Sequence, residues 1–240
     1  MSDHRVGSPR HTVAVRLAAL LAVAVTAGCG ALLGGPSTAP DGTVLPGTDE
    51  LYTVTRTATL GATSGHVTGF LSENGESMMI DIEGATDGSN QRVRITTDRE
   101  GSVTITTVDG KYYITGDWEF WAAASDPATA NRLVDKTVVA SPARVRDYLD
   151  LSVGTVLEEF FAPENLSLLD RVGSSVVSRV DGDRTVLIGR PKEMEFWVDA
   201  DSRRLVKLRT TGADASELTL DRWDEAETFR APKASSLVEY

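Results

Sequence analysis

The sequence predicts an α+β domain whose larger part is a one-sided antiparallel β-sheet, interrupted by a short helical stretch. Three observations predict it. Apolar and polar residues alternate through much of the chain after Gly65. Two hairpin dipeptides, Asn74-Gly75 and Asp109-Gly110, each set a register. Between residues 127 and 161 the alternation gives way to segments that open on proline, the residue suited to a first helical position.

A two-residue type I′ loop needs positive φ at both central positions, which Asn-Gly and Asp-Gly supply. With Asn74 and Gly75 as the loop, Leu71 faces Met78, Gly69 faces Ile80 and Val67 faces Ile82; the other face pairs Phe70 with Met79, Thr68 with Asp81 and His66 with Glu83. Around Asp109-Gly110, Thr107 falls opposite Tyr112 and Ile105 opposite Ile114, with Val103 further along that face. Each register gathers the aliphatic residues onto one face, as a half-buried sheet requires. Residues 92–96 add an alternating strand with Val93 and Ile95 on one side, and further strands are expected at 176–179, 185–188, 193–199, 205–211 and 217–223. Helices are expected at 127–134, at 142–149 with Ser141 as the cap, and at 153–161, where the mixture of Val and Phe is also compatible with an extended segment. Residues 50–60 (ELYTVTRTATL) read as β-prone, because Val54 and four threonines are stiff at χ1.

The amino-terminal residues have a different character. Arg5, Arg10 and Arg16 precede an apolar run over residues 17–27, which is shorter than the roughly 20 apolar residues of a bilayer span and has the form of a signal peptide. It ends in Thr26-Ala27-Gly28-Cys29, which resembles the bacterial lipobox, although Thr26 stands where that box most often has Leu. The resemblance implies cleavage before Cys29 and acylation of its sulfur. Residues 1–28 are thus expected to be a signal peptide and 29–48, rich in Gly, Pro, Ser and Thr, a tether; 49–240 form one domain.

Three of the 24 basic residues and one of the 35 acidic ones lie in residues 1–28, leaving 21 against 34, net −13. Such a surface repels phosphate backbones and anionic headgroups, which excludes nucleic acid as a partner and polybasic membrane contact. Beyond residue 28 there is one histidine, His66, and no cysteine but Cys29. No Ser/His/Asp triad, His-rich metal set or phosphate-cradling Gly-rich loop can be assembled from them, so no enzyme, metal or cofactor is expected. His66 reads as a surface partner of Glu83. Asp109, Asp181, Asp183, Asp199 and Asp201 fall in or beside expected turns, where Asp bonds locally, and Asp87-Gly88-Ser89-Asn90 is a turn without the spacing of a calcium loop. Trp118, Phe120 and Trp121 are expected to pack a corner between sheet and helices, or else to cover an opening there.

The order of elements, the run from Val108 through Ile114 followed by Trp118 and Trp121, and the C-terminal stretch holding Trp197-Val198-Asp199, Leu220-Asp221-Arg222-Trp223 and Phe229-Arg230-Ala231-Pro232 resemble the actinobacterial lipoproteins of the LppX/LprG type. That resemblance implies a LolA-like half-barrel, a curved antiparallel sheet wrapped around a few helices. It also implies an apolar cavity for the acyl chains of a lipid or acylated molecule. The lining would come from Val67, Ile80, Ile82, Ile95, Ile105, Tyr112, Ile114, Phe196, Val198 and Leu208. The family pattern places an amphipathic helix before the first strand, where this sequence has its threonine-rich stretch. The expected function is a membrane-anchored, non-enzymatic lipid carrier outside the cytoplasm, with an envelope transport partner open. The alternative is an envelope interaction or assembly module of the same fold with a filled core; core packing and cavity lining draw on the same residue types.

Overall fold

The computed structural model describes residues 37–38, 42, 44–73, 76–162, 175–180, 182–190, 194–212 and 215–239. The expected signal peptide, Cys29, the Asn74-Gly75 dipeptide and Asp181 lie outside them. No helix among the described residues is long and apolar enough to cross a membrane.

Within the expected tether, β1 (Ser37–Thr38) pairs with β2 (Val44–Leu45), and helix α1 (Thr48–Leu60) follows. Five strands then run in succession: β3 (Ser64–Glu73), β4 (Glu76–Ala85), β5 (Gln91–Thr97), β6 (Gly101–Val108) and β7 (Lys111–Gly116). The helical stretch comprises α2 (Trp118–Ala124), α3 (Pro127–Leu133), α4 (Pro142–Leu149) and α5 (Val153–Phe160), with β8 (Thr137–Ala140) inside it. The rest is β9 (Ser175–Val180), β10 (Asp183–Arg190), β11 (Met194–Asp199), β12 (Leu205–Thr210), β13 (Glu217–Asp221) and a short β14 (Leu237–Glu239). Twelve strands form one curved, unclosed sheet in the order β14-β8-β7-β6-β5-β4-β3-β13-β12-β11-β10-β9, antiparallel except where β14 meets β8. The first long strand therefore lies beside β13, which joins the two halves of the chain in the middle of the sheet.

Both hairpin registers are as the sequence predicts. Val67 pairs with Ile82 and Gly69 with Ile80; Ile105 pairs with Ile114 and Thr107 with Tyr112. Asp109 and Gly110 have φ of 51° and 69°, the left-handed pair that a type I′ loop requires. The inner face carries one buried cluster, which includes Val67, Ile82, Val93, Ile105, Phe196 and Leu220. Each such aliphatic side chain contributes about 1.5–3 kcal/mol on leaving water.

Residues 50–60 are helical, not extended. Leu51, Thr55 and Thr59 recur every fourth position and are buried on one face, while Thr53, Val54, Arg56 and Thr57 are exposed. Two threonines keep their hydroxyls satisfied: Thr57 Oγ1 donates to the Thr53 carbonyl, and Thr59 Oγ1 accepts from the Leu205 N–H. Tertiary burial overrides β propensity here. Ser141 is the N-cap residue of α4, but its side chain makes no capping bond. Pro142 has no N–H to offer and the Arg144 N–H bonds the Ser141 carbonyl instead. Trp118, Phe120 and Trp121 belong to a helix, α2, which Asp117 caps by accepting the Phe120 N–H.

Helix α5 sits on β3 and β4 and against α1. Ser152 caps it, accepting from Thr155 N–H. Gly154 lets its first turn reach the sheet: a Cβ there would stand 2.3 Å from the Thr86 carbonyl oxygen, to which the Gly154 N–H bonds at 3.0 Å. Residues 222–233 cross the outer face of the sheet, where Asn90 accepts the Phe229 N–H and donates to its carbonyl.

Candidate functional site

Among the described residues, two openings lie on the inner side of the sheet. The first is a narrow crevice of about 40 Å³ between α5 and strands β3, β12 and β13. Its walls are Val156, Leu157 and Phe160 from the helix and Leu208, Leu218 and Leu220 from the sheet, with Glu159, Thr210 and Ser216 among its few polar neighbours. The amphipathic spacing of α5 explains the helix side: Val153, Val156, Leu157 and Phe160 fall at i, i+3, i+4 and i+7 and turn inward. Phe160 stacks edge-on against Phe161 and Phe196, with ring centroids 4.7 and 4.8 Å apart.

The second opening, about 460 Å³, lies where α4 covers one end of β5, β6 and β7. A cross-strand row, Gln91, Thr107 and Tyr112, runs along the sheet side. Val145, Tyr148 and Leu149 of α4 face it, and the turns at Asp87-Gly88 and Asp109-Gly110 form the rim. Asp87 is held locally: its carboxylate accepts from Ser89 N–H and Oγ, bonds that keep its pKa below the ordinary value.

Of the ten residues expected to line a cavity, Val67, Ile80, Ile82, Ile95, Ile105, Ile114, Phe196, Val198 and Leu208 belong to the buried cluster, and Tyr112 packs against it. Leu208 borders the crevice; Ile105 and Tyr112 border the larger pocket. The structure thus brings Ile105 and Tyr112 to one opening and Leu208 to the other. Gln91, Thr107, Tyr148 and the crevice walls of α5 were not singled out by the sequence. The helical spacing in α5 was a usable signal for the crevice, whereas the Gln91 row follows only from pairing three strands.

His66 stands opposite Glu83 in the β3–β4 register, as expected, but its ring bonds elsewhere. Its Nδ1 lies 2.8 Å from Asp221 Oδ1 and its Nε2 3.2 Å from Asp81 Oδ1, because β13 places Asp221 directly opposite it. Glu83, 2 % exposed, accepts instead from Arg222 Nη1 at 2.6 Å, Arg92 Nη2 at 3.3 Å and the Glu227 N–H at 3.1 Å. This network braces the outer face and is remote in kind from either opening. Asp199 accepts from the N–H groups of Asp201 and Ser202, as its turn position predicts.

An unclosed, mostly antiparallel sheet wrapped around α1 and α5 defines a half-barrel. No protein-family model matches the chain, and no curated protein matches it. Among solved structures it is similar to LprF from Mycobacterium bovis, with a TM-score of 0.50 and 14% identity over 83% of this chain and 99% of that one. It is also similar to the lipoprotein LppX from Mycobacterium tuberculosis, with a TM-score of 0.41 and 17% identity over 74% and 95% of the two chains. The fold is shared with LprF, in keeping with the half-barrel that the sequence resemblance implied.

Proposed function

We propose that the protein is an extracytoplasmic lipoprotein, anchored through Cys29, that binds an acyl chain between α5 and the sheet without catalysing a reaction. The observation that carries this reading is the crevice, whose walls are nearly all aliphatic or aromatic and which opens beside a helix seated on the sheet. A space of about 40 Å³ admits only the first few methylenes of a chain. Uptake therefore requires α5 to lift. The residues it covers on β3 and β4, namely Val67, Ile80 and Ile82, together with Phe196 beside Phe160, then become the lining. Each methylene withdrawn from water contributes about 0.8 kcal/mol, which over a long chain is enough to offset the helix packing given up.

The test is uptake of a fluorescent fatty acyl probe. The parent is expected to bind it, and Leu208→Trp, which fills the crevice, is expected to weaken binding at least about tenfold while the fold persists. Absence of probe binding by the parent would instead support the filled-core interaction module. The anchor has its own test. Cys29→Ser is expected to release the protein from the membrane fraction or to leave its precursor uncleaved, with the domain still folded; a cleaved variant that stays membrane-bound would refute the assignment.

A further inference from the structure

We propose that the larger pocket, at the Asp109 end of the sheet, binds a neutral polyhydroxylated ligand of the saccharide class, independently of the acyl crevice. Its size suits such a ligand: 460 Å³ lies within the range of small-molecule sites and is roomy enough for one or two hexose rings. Among the described residues no Lys or Arg lines it, while Asp87 and Asp109 stand at the rim. A phosphate or carboxylate would meet repulsion at the mouth and no counter-charge within.

The polar groups it offers are acceptors or hydroxyls. Gln91 is 4 % exposed and its Nε2 donates to the Leu151 carbonyl at 2.8 Å. A carbonyl can only accept, so the orientation of the amide is set, and Gln91 Oε1 is left buried without a protein donor. An acceptor in that state costs about 1–3 kcal/mol, and a small turn of the Gln91 side chain toward the pocket lets a ligand hydroxyl relieve it. Thr107, beside Gln91 in the register, supplies a hydroxyl, and Tyr112 and Tyr148 supply ring surface. Acceptors, hydroxyls and aromatic faces in one pocket match the alternating O–H and C–H surfaces of a sugar ring.

The same acceptors would suit an ammonium group, and burial decides between the two. Both carboxylates are at the rim, and the Asp87 oxygen is already bonded to Ser89. The floor holds only a neutral amide oxygen among Val93, Ile105 and Val145, where a desolvated cation lacks a counter-charge but a hydroxyl does not need one.

Saturation-transfer NMR on the full chain tests this with maltose and with glucose, glucosamine and glucuronate as a charge-graded set. These sugars carry no acyl chain, so the result stands or falls separately from the acyl-probe experiment. Transfer to maltose and glucose, exceeding that to glucosamine and absent for glucuronate, is expected. Thr107→Phe should abolish it by filling the pocket. Thr107→Val, which keeps shape and fold but removes the hydroxyl, should weaken it about two- to tenfold. No transfer to either neutral sugar, glucosamine exceeding glucose, or binding unchanged in Thr107→Val would each overturn the proposal.

Discussion

Replacing Ile82 by alanine is expected to remove about 2–5 kcal/mol of stability. Ile82 has no solvent exposure and stands in β4 between Val67 of β3 and Val93 of β5, on the face that α5 covers. Both neighbouring strands are hydrogen-bonded in register, so the site cannot collapse around the missing atoms and a cavity remains. Ile105 provides the internal comparison. It is equally part of the buried cluster, but it borders the 460 Å³ pocket. A tryptophan at position 105 can extend into that space, whereas at position 82 it overpacks, typically by about 1–3 kcal/mol. Urea unfolding of Ile82→Ala, Ile82→Trp and Ile105→Trp checks both points; a larger loss for Ile105→Trp than for Ile82→Trp would show that the pocket is not available space.

The parts of this fold that were legible in the sequence are those whose cause is local. Asp109-Gly110 fixes its own turn through two positive φ values, and everything paired along β6 and β7 follows by counting outward. Thr137–Ala140 is a strand of four residues between helices, too short to show a period, and Leu237–Glu239 owes its pairing to β8 alone. Helix α1 shows the limit of propensity. Four threonines argue for a strand, but the spacing of Leu51, Thr55 and Thr59 is helical once threonine is allowed as a buried residue; Thr59 Oγ1 is bonded to the Leu205 N–H, and Thr55 Oγ1 is buried without a partner among the described residues. Residue type favours a strand here and spacing a helix, and burial against the sheet and α5 decides for the helix.

The openings were less legible, for a physical reason. Leu208 borders a crevice and Val198 does not, yet both are inward aliphatic residues of adjacent strands. What separates them is where α5 happens to lie, a contact between segments about fifty residues apart in sequence. Likewise Gln91 looks like an ordinary strand-start glutamine until the Leu151 carbonyl claims one end of its amide and leaves the other unbonded. Long-range pairing creates both features, and no local period encodes it.

Glu83→Gln is expected to cost about 1.5–3 kcal/mol at neutral pH, the range for hydrogen bonds to a charged group. Burial by itself raises the pKa of this carboxyl; the Glu227 N–H and the hydrogen bond and charge of Arg222 outweigh burial and hold it below the ordinary value. Glutamine keeps the shape but presents an amide N–H₂ toward guanidinium groups that also only donate. The pH dependence follows from the direction of the shift. A carboxyl whose folded pKa is depressed contributes stability that is fully present above the unfolded value, about 4.3 for Glu, and is lost as pH falls through the folded value. The stability gap between parent and variant should therefore be widest near neutrality and should narrow on acidification from about pH 7 to about pH 3. Asp224, lowered to about 2 by the Thr63 N–H and the Arg204 guanidinium, keeps its charge over most of that range, so it stays nearly constant in both proteins. Urea unfolding of parent and Glu83→Gln at the two pH values reads the gap directly. A gap of the same size at both would mean that the charge on Glu83 contributes nothing and that residues 222–233 are held to the sheet by their other contacts, the Asp224, Trp223 and Asn90–Phe229 bonds among them.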